Sequence, residues 1–205
     1  LEQCINAIRG AGETCRIIVV DDGLDHKPDG ATYVAGIKPF CFSRNANIGI
    51  RAAGEDDVVL LNDDALLRTP GGFTLLQREA KEHPEYGLIA ATTNNVGNPN
   101  QLPQGKGLRA ERRMVCFVCV LIPRLTLDIV GGLDERFIAY GHDDDDYCLR
   151  VRLARFRIGI HDGCFVDHAT LPSTFRGSAH ASGDLKQNAA IFRAKWGRDN
   201  FGRVT

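Results

Sequence analysis

Short apolar runs recur along the chain, and most close on acidic or glycine-bearing turns. Ile17-Ile18-Val19-Val20 ends at Asp21-Asp22-Gly23, and Val58-Val59-Leu60-Leu61 ends at Asn62-Asp63-Asp64. Gly87-Leu88-Ile89-Ala90-Ala91 and the still more apolar stretch 114–122 follow. Runs of this kind without alternation read as strands covered on both faces. Between them the apolar spacing turns helical over 2–9 (Cys4, Ile5 and Ile8 inward), 45–54, 70–83, 125–130 and 184–196. Another helix opens at Asp143, with an inward stripe of Tyr147, Leu149, Leu153 and Phe156. Further strands are expected at 38–42, 157–160 and 164–166, and loops at 24–37 and 92–110. The second loop is rich in Asn, Gly and Pro, and loops of that length are commonly functional or disordered. Strands alternating with helices predict an α/β domain with a largely parallel sheet, whose ligands bind beyond the strands' carboxyl ends.

Composition narrows this picture. The 205 residues, 43% of them hydrophobic, suit one globular domain. A net charge of −1 argues against nucleic acid as a partner. Residues 150–205 are locally basic, with ten Lys/Arg against four Asp, a tail suited to phosphates, an anionic acceptor, an anionic membrane or simply solvent. The seven cysteines sit mostly among apolar neighbours and read as reduced, buried residues, which points to a reducing cytoplasm. Cys116 and Cys119 have the spacing of a metal pair but lack a second pair. No signal peptide and no apolar run near the length of a membrane span is visible.

The candidate chemistry is carboxylate chemistry. Asp143 to Asp146 are four consecutive aspartates at a helix start, more than a helix N-terminus needs. Their mutual repulsion suits a base of raised pKa or a cation site. Asp63-Asp64 is either a polar turn or a pair of oxygen ligands for a hard cation. Asp21-Asp22 is either an Asp-Gly turn or a contact to a base or ribose. His168, after an apolar stretch, is either structural or a ligand.

In order along the chain, these segments resemble the family 2 glycosyltransferases, of rhamnosyltransferase-like bacterial type. The matching pieces are Ile17 to Gly23, Asn45-Ala46-Asn47-Ile48-Gly49, Leu60 to Asp64, Gly131-Gly132-Leu133-Asp134-Glu135-Arg136-Phe137, His142 to Arg150, and Lys195-Trp196-Gly197. The resemblance implies a GT-A fold: one Rossmann-like domain over 1–205 with a mostly parallel central sheet flanked by helices. Residues 1–91 would be the nucleotide-sugar half and 92–205 the catalytic and acceptor half. It implies a metal-dependent, inverting transfer from a nucleotide-diphosphate sugar to a carbohydrate or lipid-linked glycan acceptor, in cell-surface polysaccharide or glycoconjugate synthesis. Nucleotide contacts fall to Asp21, Asp22, Arg44, Asn47 and Asp63. The cation, Mn or Mg, falls to Asp64 and His168, and base catalysis to Asp144 with Asp143 beside it. Cytoplasmic placement, with peripheral contact to the inner membrane face through the basic C-terminal region, is the matching expectation. The chain departs from the family in lacking its opening apolar strand and Pro-x-Tyr/Phe-Asn segment and in carrying Leu24 after Asp-Asp-Gly. The alternatives are a nucleotidyltransferase and a non-catalytic nucleotide- or sugar-binding relative.

Overall fold

The computed structural model describes residues 1–105, 107–171 and 181–197, with side chains from 183 in the last segment. Three of the expected helices lie close to their expected bounds: α1 (Glu2–Gly10), α3 (Gly72–Glu82) and α4 (Arg124–Val130). Helix α2 (Phe42–Ala53) starts three residues early and takes in part of the segment expected as a strand at 38–42. Pro39, with no backbone N–H, suits that segment to a turn before the helix. Helix α5 spans Asp143–Leu153 and α6 spans Ala181–Trp196. On α5, Tyr147, Cys148, Leu149 and Val151 are buried while Leu153 faces solvent, so the expected stripe is correct only in its first half.

Strands β1 (Ile18–Asp21) and β2 (Thr32–Ala35) form a separate parallel pair. The remaining strands form a six-stranded sheet: β3 (Val58–Leu61), β4 (Leu66–Leu67), β5 (Tyr86–Thr93), β6 (Leu108–Glu111), β7 (Cys119–Ile122) and β8 (Arg157–Asp167). Its order is β3-β7-β5-β8-β4, with β6 also on β8. Only β5 and β8 pair in parallel within this sheet. The β3–β7, β5–β7, β4–β8 and β6–β8 pairs are antiparallel. The α/β class holds, but the sheet is mixed rather than mostly parallel. The physical reason is that a doubly covered strand shows the same apolar run in either direction, so periodicity is blind to polarity.

Besides a small cluster of Phe137, Leu149 and Phe192, two large apolar clusters fill the molecule. One gathers α1, α3, Ile89, Leu121 and Val166. The other gathers Ile50, Leu88, Val120, Tyr147, Val151 and Ile160. Together they cover the sheet on both faces. The two strands expected at 157–160 and 164–166 are one long strand, β8, whose register against β5 shifts between Ala91 and Thr92. Residues 92–110 are not an open loop. β5 continues to Thr93, a 3₁₀ turn spans Pro99–Gln101, and β6 begins at Leu108. Buried Gln101 holds the segment down, donating to the Cys116 carbonyl (3.1 Å) and accepting from the Cys116 N–H (2.6 Å).

Candidate functional site

The carboxyl ends of β1 and β3 open into a cavity of about 930 Å³. Its polar mouth carries Asp22, Asn45, Asn62, Asp63, Asp64 and His168, with Leu24, Phe40 and Tyr140 at the rim. Asp21 and Asp22 divide their work. Asp21 accepts from the Gly23 and Leu24 N–H groups (2.9 and 2.7 Å) and pairs with Lys27 (2.9 Å). The Leu24 backbone bond, the Lys27 ammonium and the Gly23 bond hold its carboxyl well below the usual range. Asp21 therefore shapes the turn, and Asp22, next to the Asn45 amide (3.3 Å), faces the cavity.

Helix α2 makes a similar division between two asparagines. Asn45 looks into the cavity. Asn47 is buried, accepts from the Leu133 N–H (2.8 Å), and donates to the Leu133 carbonyl and to Glu135 (both 2.9 Å). A side chain on Gly132 would occupy the space of the Asn47 amide, so the two residues require each other. Gly49 lets α2 approach β1, since a Cβ there would meet Val20 at 3.3 Å. Arg44 donates to the Ile37 carbonyl (2.9 Å) and to the Pro39 carbonyl, bracing the loop before α2. Asn47 and Arg44 thus sit on protein partners, one helical face away from the mouth.

Asp64 and His168 come together from the ends of β3 and β8, with Asp64 Oδ1 3.1 Å from His168 Nε2. The other ring nitrogen, Nδ1, lies 2.7 Å from the Asn95 carbonyl, which can only accept. Nδ1 therefore carries the proton, and in the neutral ring Nε2 turns a lone pair toward the carboxylate. Two acceptors at that distance need a proton or a cation between them. The donor set, a carboxylate oxygen and an imidazole nitrogen, suits a divalent ion completed by substrate oxygens. Among the described residues, the cluster of three ligating side chains within mutual reach is Glu79, Glu82 and His83 on α3, which the cavity does not include.

The four aspartates at the start of α5 have different fates. Asp146 is fully buried and tied to Arg150 (2.9 Å), Trp196 Nε1 (2.8 Å) and Lys195 (2.6 Å). Asp145 faces His142 Nδ1 at 2.9 Å. Asp143 is buried. One of its oxygens accepts from the Gly141 N–H (2.8 Å), and the other lacks a hydrogen-bond partner among the described residues. Burial raises the Asp143 pKa to about 6. Burial, then the charges of Asp143 and Asp145, raise Asp144 further above the ordinary carboxylate range. Adjacent Cys116 feels the Asp144 charge and packs near Gly97. The segment 94–98 runs from the Asn95 contact with His168 to Cys116, and Asp143 and Asp144 are not among the residues that line the cavity.

The loop before α5 carries positive φ at Ala139, Gly141 and His142. It is clamped from two sides. The Phe42 N–H donates to the Ala139 carbonyl (2.7 Å) at the start of α2. From α6, fully buried Asn188 accepts from the Ile138 N–H (2.7 Å) and donates to the Ile138, Tyr140 and Gly141 carbonyls (2.7, 3.2 and 2.9 Å). Sequence reasoning missed Asn188, because one polar residue on a helix carries no sign of what it bonds. The Lys195-Trp196 pair closes the same region, with Lys195 on both Asp134 and Asp146 (2.6 Å each).

All seven cysteines are free. Burial pushes the Cys4, Cys116 and Cys164 thiols up to about 12, so these are inert residues. No described helix is long and apolar enough to cross a membrane. Part of the basic C-terminal region, with Arg176, Arg198 and Arg203, lies outside the described residues.

No family model and no curated protein sequence matches the chain. Among solved structures, a crystal structure of GalNAc-T7 with UDP, GalNAc and Mn²⁺ aligns with a TM-score of 0.62 at 12% identity. The alignment covers 83% of this chain and 37% of that one, so the chain spans well under half of this neighbour's length. A crystal structure of apo UDP-glucose pyrophosphorylase aligns over 80% of this chain and 64% of that one at 13% identity. Its TM-score of 0.44 is too low to establish a shared fold. The architecture is that of the GT-A glycosyltransferases.

Proposed function

We propose that the protein is a nucleotide-sugar-dependent glycosyltransferase of inverting type. The observation that carries this reading is the Asp64–His168 pair at the acidic mouth of the cavity, and the raised-pKa carboxyls of Asp143 and Asp144 at the start of α5 support it. The GalNAc-T7 neighbour, crystallised with UDP and Mn²⁺, supports a donor and a cation of those kinds.

Asp64 and His168 would hold a divalent ion, Mn or Mg, which supplies Lewis-acid stabilisation to a diphosphate leaving group. Asp22 and Asn45 hold the base or ribose, and Leu24, Phe40 and Tyr140 give the ring an apolar rim. Asp63, exposed at the mouth, faces the nucleotide. Asp21, Asn47 and Arg44 act on the nucleotide through the turns and loops they brace. Asp144 takes the proton of the acceptor hydroxyl as its oxygen bonds to the anomeric carbon. The nucleoside diphosphate departs from the opposite face with the bond's electron pair, inverting the configuration. A base of raised pKa matches this task at neutral pH better than an ordinary carboxylate. The acceptor class, a carbohydrate or lipid-linked glycan of the cell surface, follows from the family resemblance.

The test is calorimetric titration with UDP, GDP and TDP, with and without Mn²⁺. Binding of one nucleotide that requires the metal, and is lost in Asp64→Ala, is the expected result. Metal-independent binding, or binding unchanged in Asp64→Ala, removes the cation assignment. No binding of any nucleotide removes the donor assignment.

A further inference from the structure

The start of α3 lines the cavity through Phe73, Thr74 and Gln77, but its last turn does not. There Glu79, Glu82 and His83 each offer one ligating atom, and these atoms lie within 4.8 Å of one another. Positions i, i+3 and i+4 share one helix face, so the spacing itself brings the three together. The end of a helix is an unfavourable place for two carboxylates, because the last carbonyls already concentrate negative charge there. A cation is favoured at that spot, and a neutral imidazole adds a ligand without adding charge.

The surroundings hold these side chains in part. The His83 N–H donates to the Glu79 carbonyl (2.8 Å), and the His83 carbonyl accepts from the Tyr86 N–H (3.0 Å). The His83 ring stands edge-on to Tyr86, with centroids 6.3 Å apart. Behind Glu79 lies His161 of β8, 7% exposed, with Nε2 3.7 Å from Glu79 Oε1. The Gly163 N–H donates to His161 Nδ1 (2.9 Å), so Nδ1 holds a lone pair and the ring is neutral with its proton on Nε2. That Nε2–H faces the Glu79 carboxylate, yet it has no acceptor within hydrogen-bond reach among the described residues. A carboxylate backed by a donor of this kind has the outer support that metal ligands use. Arg78 sits over the same carboxylates, 3.3 Å from Glu79 and 3.9 Å from Glu82. Its side chain is exposed, and a surface pair of that kind is held only weakly.

We propose that Glu79, Glu82 and His83 form a site for a divalent transition-metal ion of the zinc type, with His161 as a positioning residue behind Glu79. Two carboxylate oxygens and one imidazole nitrogen make a mixed donor set. Imidazole suits zinc, whereas magnesium and calcium take oxygen ligands. In a tetrahedral site with ligands at ~2.1 Å the ligating atoms stand about 3.4 Å apart, so the three side chains, two of them exposed, need only close from 4.8 Å or less. Water completes the fourth position. The ion would tie the last turn of α3 to the turn that leads into β5. None of these residues lines the cavity, so the site is separate from the Asp64–His168 pair and independent of the glycosyltransferase reading.

The test uses the whole chain with Asp64→Ala and Cys15→Ser, which remove the cavity's carboxylate ligand and the exposed thiol. Zn²⁺ is titrated by calorimetry, and the histidine rings are followed in long-range ¹H–¹⁵N spectra. One equivalent should bind, with a metal-induced shift on one His83 ring nitrogen, while His161 keeps its Nε2 proton. His83→Ala and Glu82→Gln, both at exposed positions, should each weaken binding by about tenfold or more. His161→Phe should weaken it by about 10–100-fold. Arg78→Ala should tighten it about two- to fivefold, by freeing the carboxylates from a surface pair. Mg²⁺ at the same concentration should leave His83 unshifted. Parent affinity in His83→Ala or Glu82→Gln, shifts on His26 or His142 in place of His83, or no saturable binding would overturn the proposal. So would an equal response to Mg²⁺, which would make the three side chains an ordinary acidic surface. Asp64 is absent from the test protein and nucleotide does not enter these outcomes, so the two readings fail separately.

Discussion

Two acidic regions of one molecule treat the same side chain in opposite ways. At the strand ends, carboxylates meet abundant donors. Asp21 has two backbone N–H groups and Lys27, and Asp167 has Thr170, Asn94 and Arg68, so both are held well below the usual range. At the start of α5, Asp143 and Asp144 are enclosed with few donors and with like-charged neighbours, and both are pushed up. Four consecutive aspartates are thus not one feature. Asp146 is neutralised by Lys195 and Arg150, whereas Asp143 and Asp144 are left to titrate. Donor supply, rather than carboxylate density, separates an acid that holds structure from one available to accept a proton.

The largest effect that would break this comparison is on transfer itself. Asp144→Asn should lower the transfer rate by about 10²–10⁴-fold, the usual share of a positioned base, with nucleotide binding nearly unchanged. Single-turnover transfer beside calorimetry separates the two. Transfer at the parent rate would move the base elsewhere.

Asn188→Ala comes next. It strips the 138–141 loop of every bond that α6 makes to it through this amide, leaving the buried Gly141 carbonyl and the partly buried Ile138 N–H and Ile138 and Tyr140 carbonyls without those partners. One unpaired buried group costs about 1–3 kcal/mol, so a loss of about 2–4 kcal/mol in denaturant unfolding is expected. Asn188→Asp keeps the acceptor for Ile138 but turns a carboxylate oxygen toward three carbonyls at a fully buried position, and should cost at least as much. If both variants unfold like the parent, the clamp on the loop before α5 is not energetic.

The pH dependence of stability distinguishes the two regions directly. Asp143 has a folded pKa of about 6 against ~3.9 unfolded, so its contribution is fully present below ~4 and is lost as pH rises through 6. Asp134 runs the other way, because Arg136 and then Lys195 hold its pKa down; its contribution is present above ~4 and is lost in more acid solution. Stability should therefore peak in mildly acid solution. Asp143→Asn should flatten the fall between pH 4 and 7 by a few kcal/mol at most, with the remainder due to Asp144. An unchanged slope from urea midpoints across that range would contradict the assigned burial effect.

How much of this was legible in the chain depends on what each signal encodes. The acids after Val20 and Leu61 were visible because an apolar run stopped by charge marks a strand's end. The partition within each acidic pair was not, since whether Asp21 or Asp22 turns into the cavity is decided by the Gly23 and Leu24 N–H groups. Asn45 and Asn47 lie two positions apart on α2 and so point to different faces, which the Asn-x-Gly spacing alone does not reveal. β2 was hidden in a stretch of Gly, Pro and Asp, because four residues of strand are outweighed by the turn residues around them. The segment 92–110 looked open because its ties are side-chain amides, Gln101 on Cys116 and Asn98 on the Met114 carbonyl (2.7 Å), and polar composition reads the same whether such groups bond to protein or to water.

The smallest expected effect sharpens the comparison from the open side. Asp63 is exposed at the cavity mouth, so neutralising it removes no buried charge and unpairs no buried donor. Asp63→Asn should leave unfolding stability within about 0.5 kcal/mol of the parent and leave the slope between pH 4 and 7 unaltered. The same carboxyl-to-amide change would then alter the pH profile at Asp143 and be silent at Asp63, with chain, charge change and chemistry held constant. A stability change at Asp63 as large as that at Asp143 would mean that net acidity, not enclosure, sets the behaviour of these carboxylates, and the distinction between the two regions would fail.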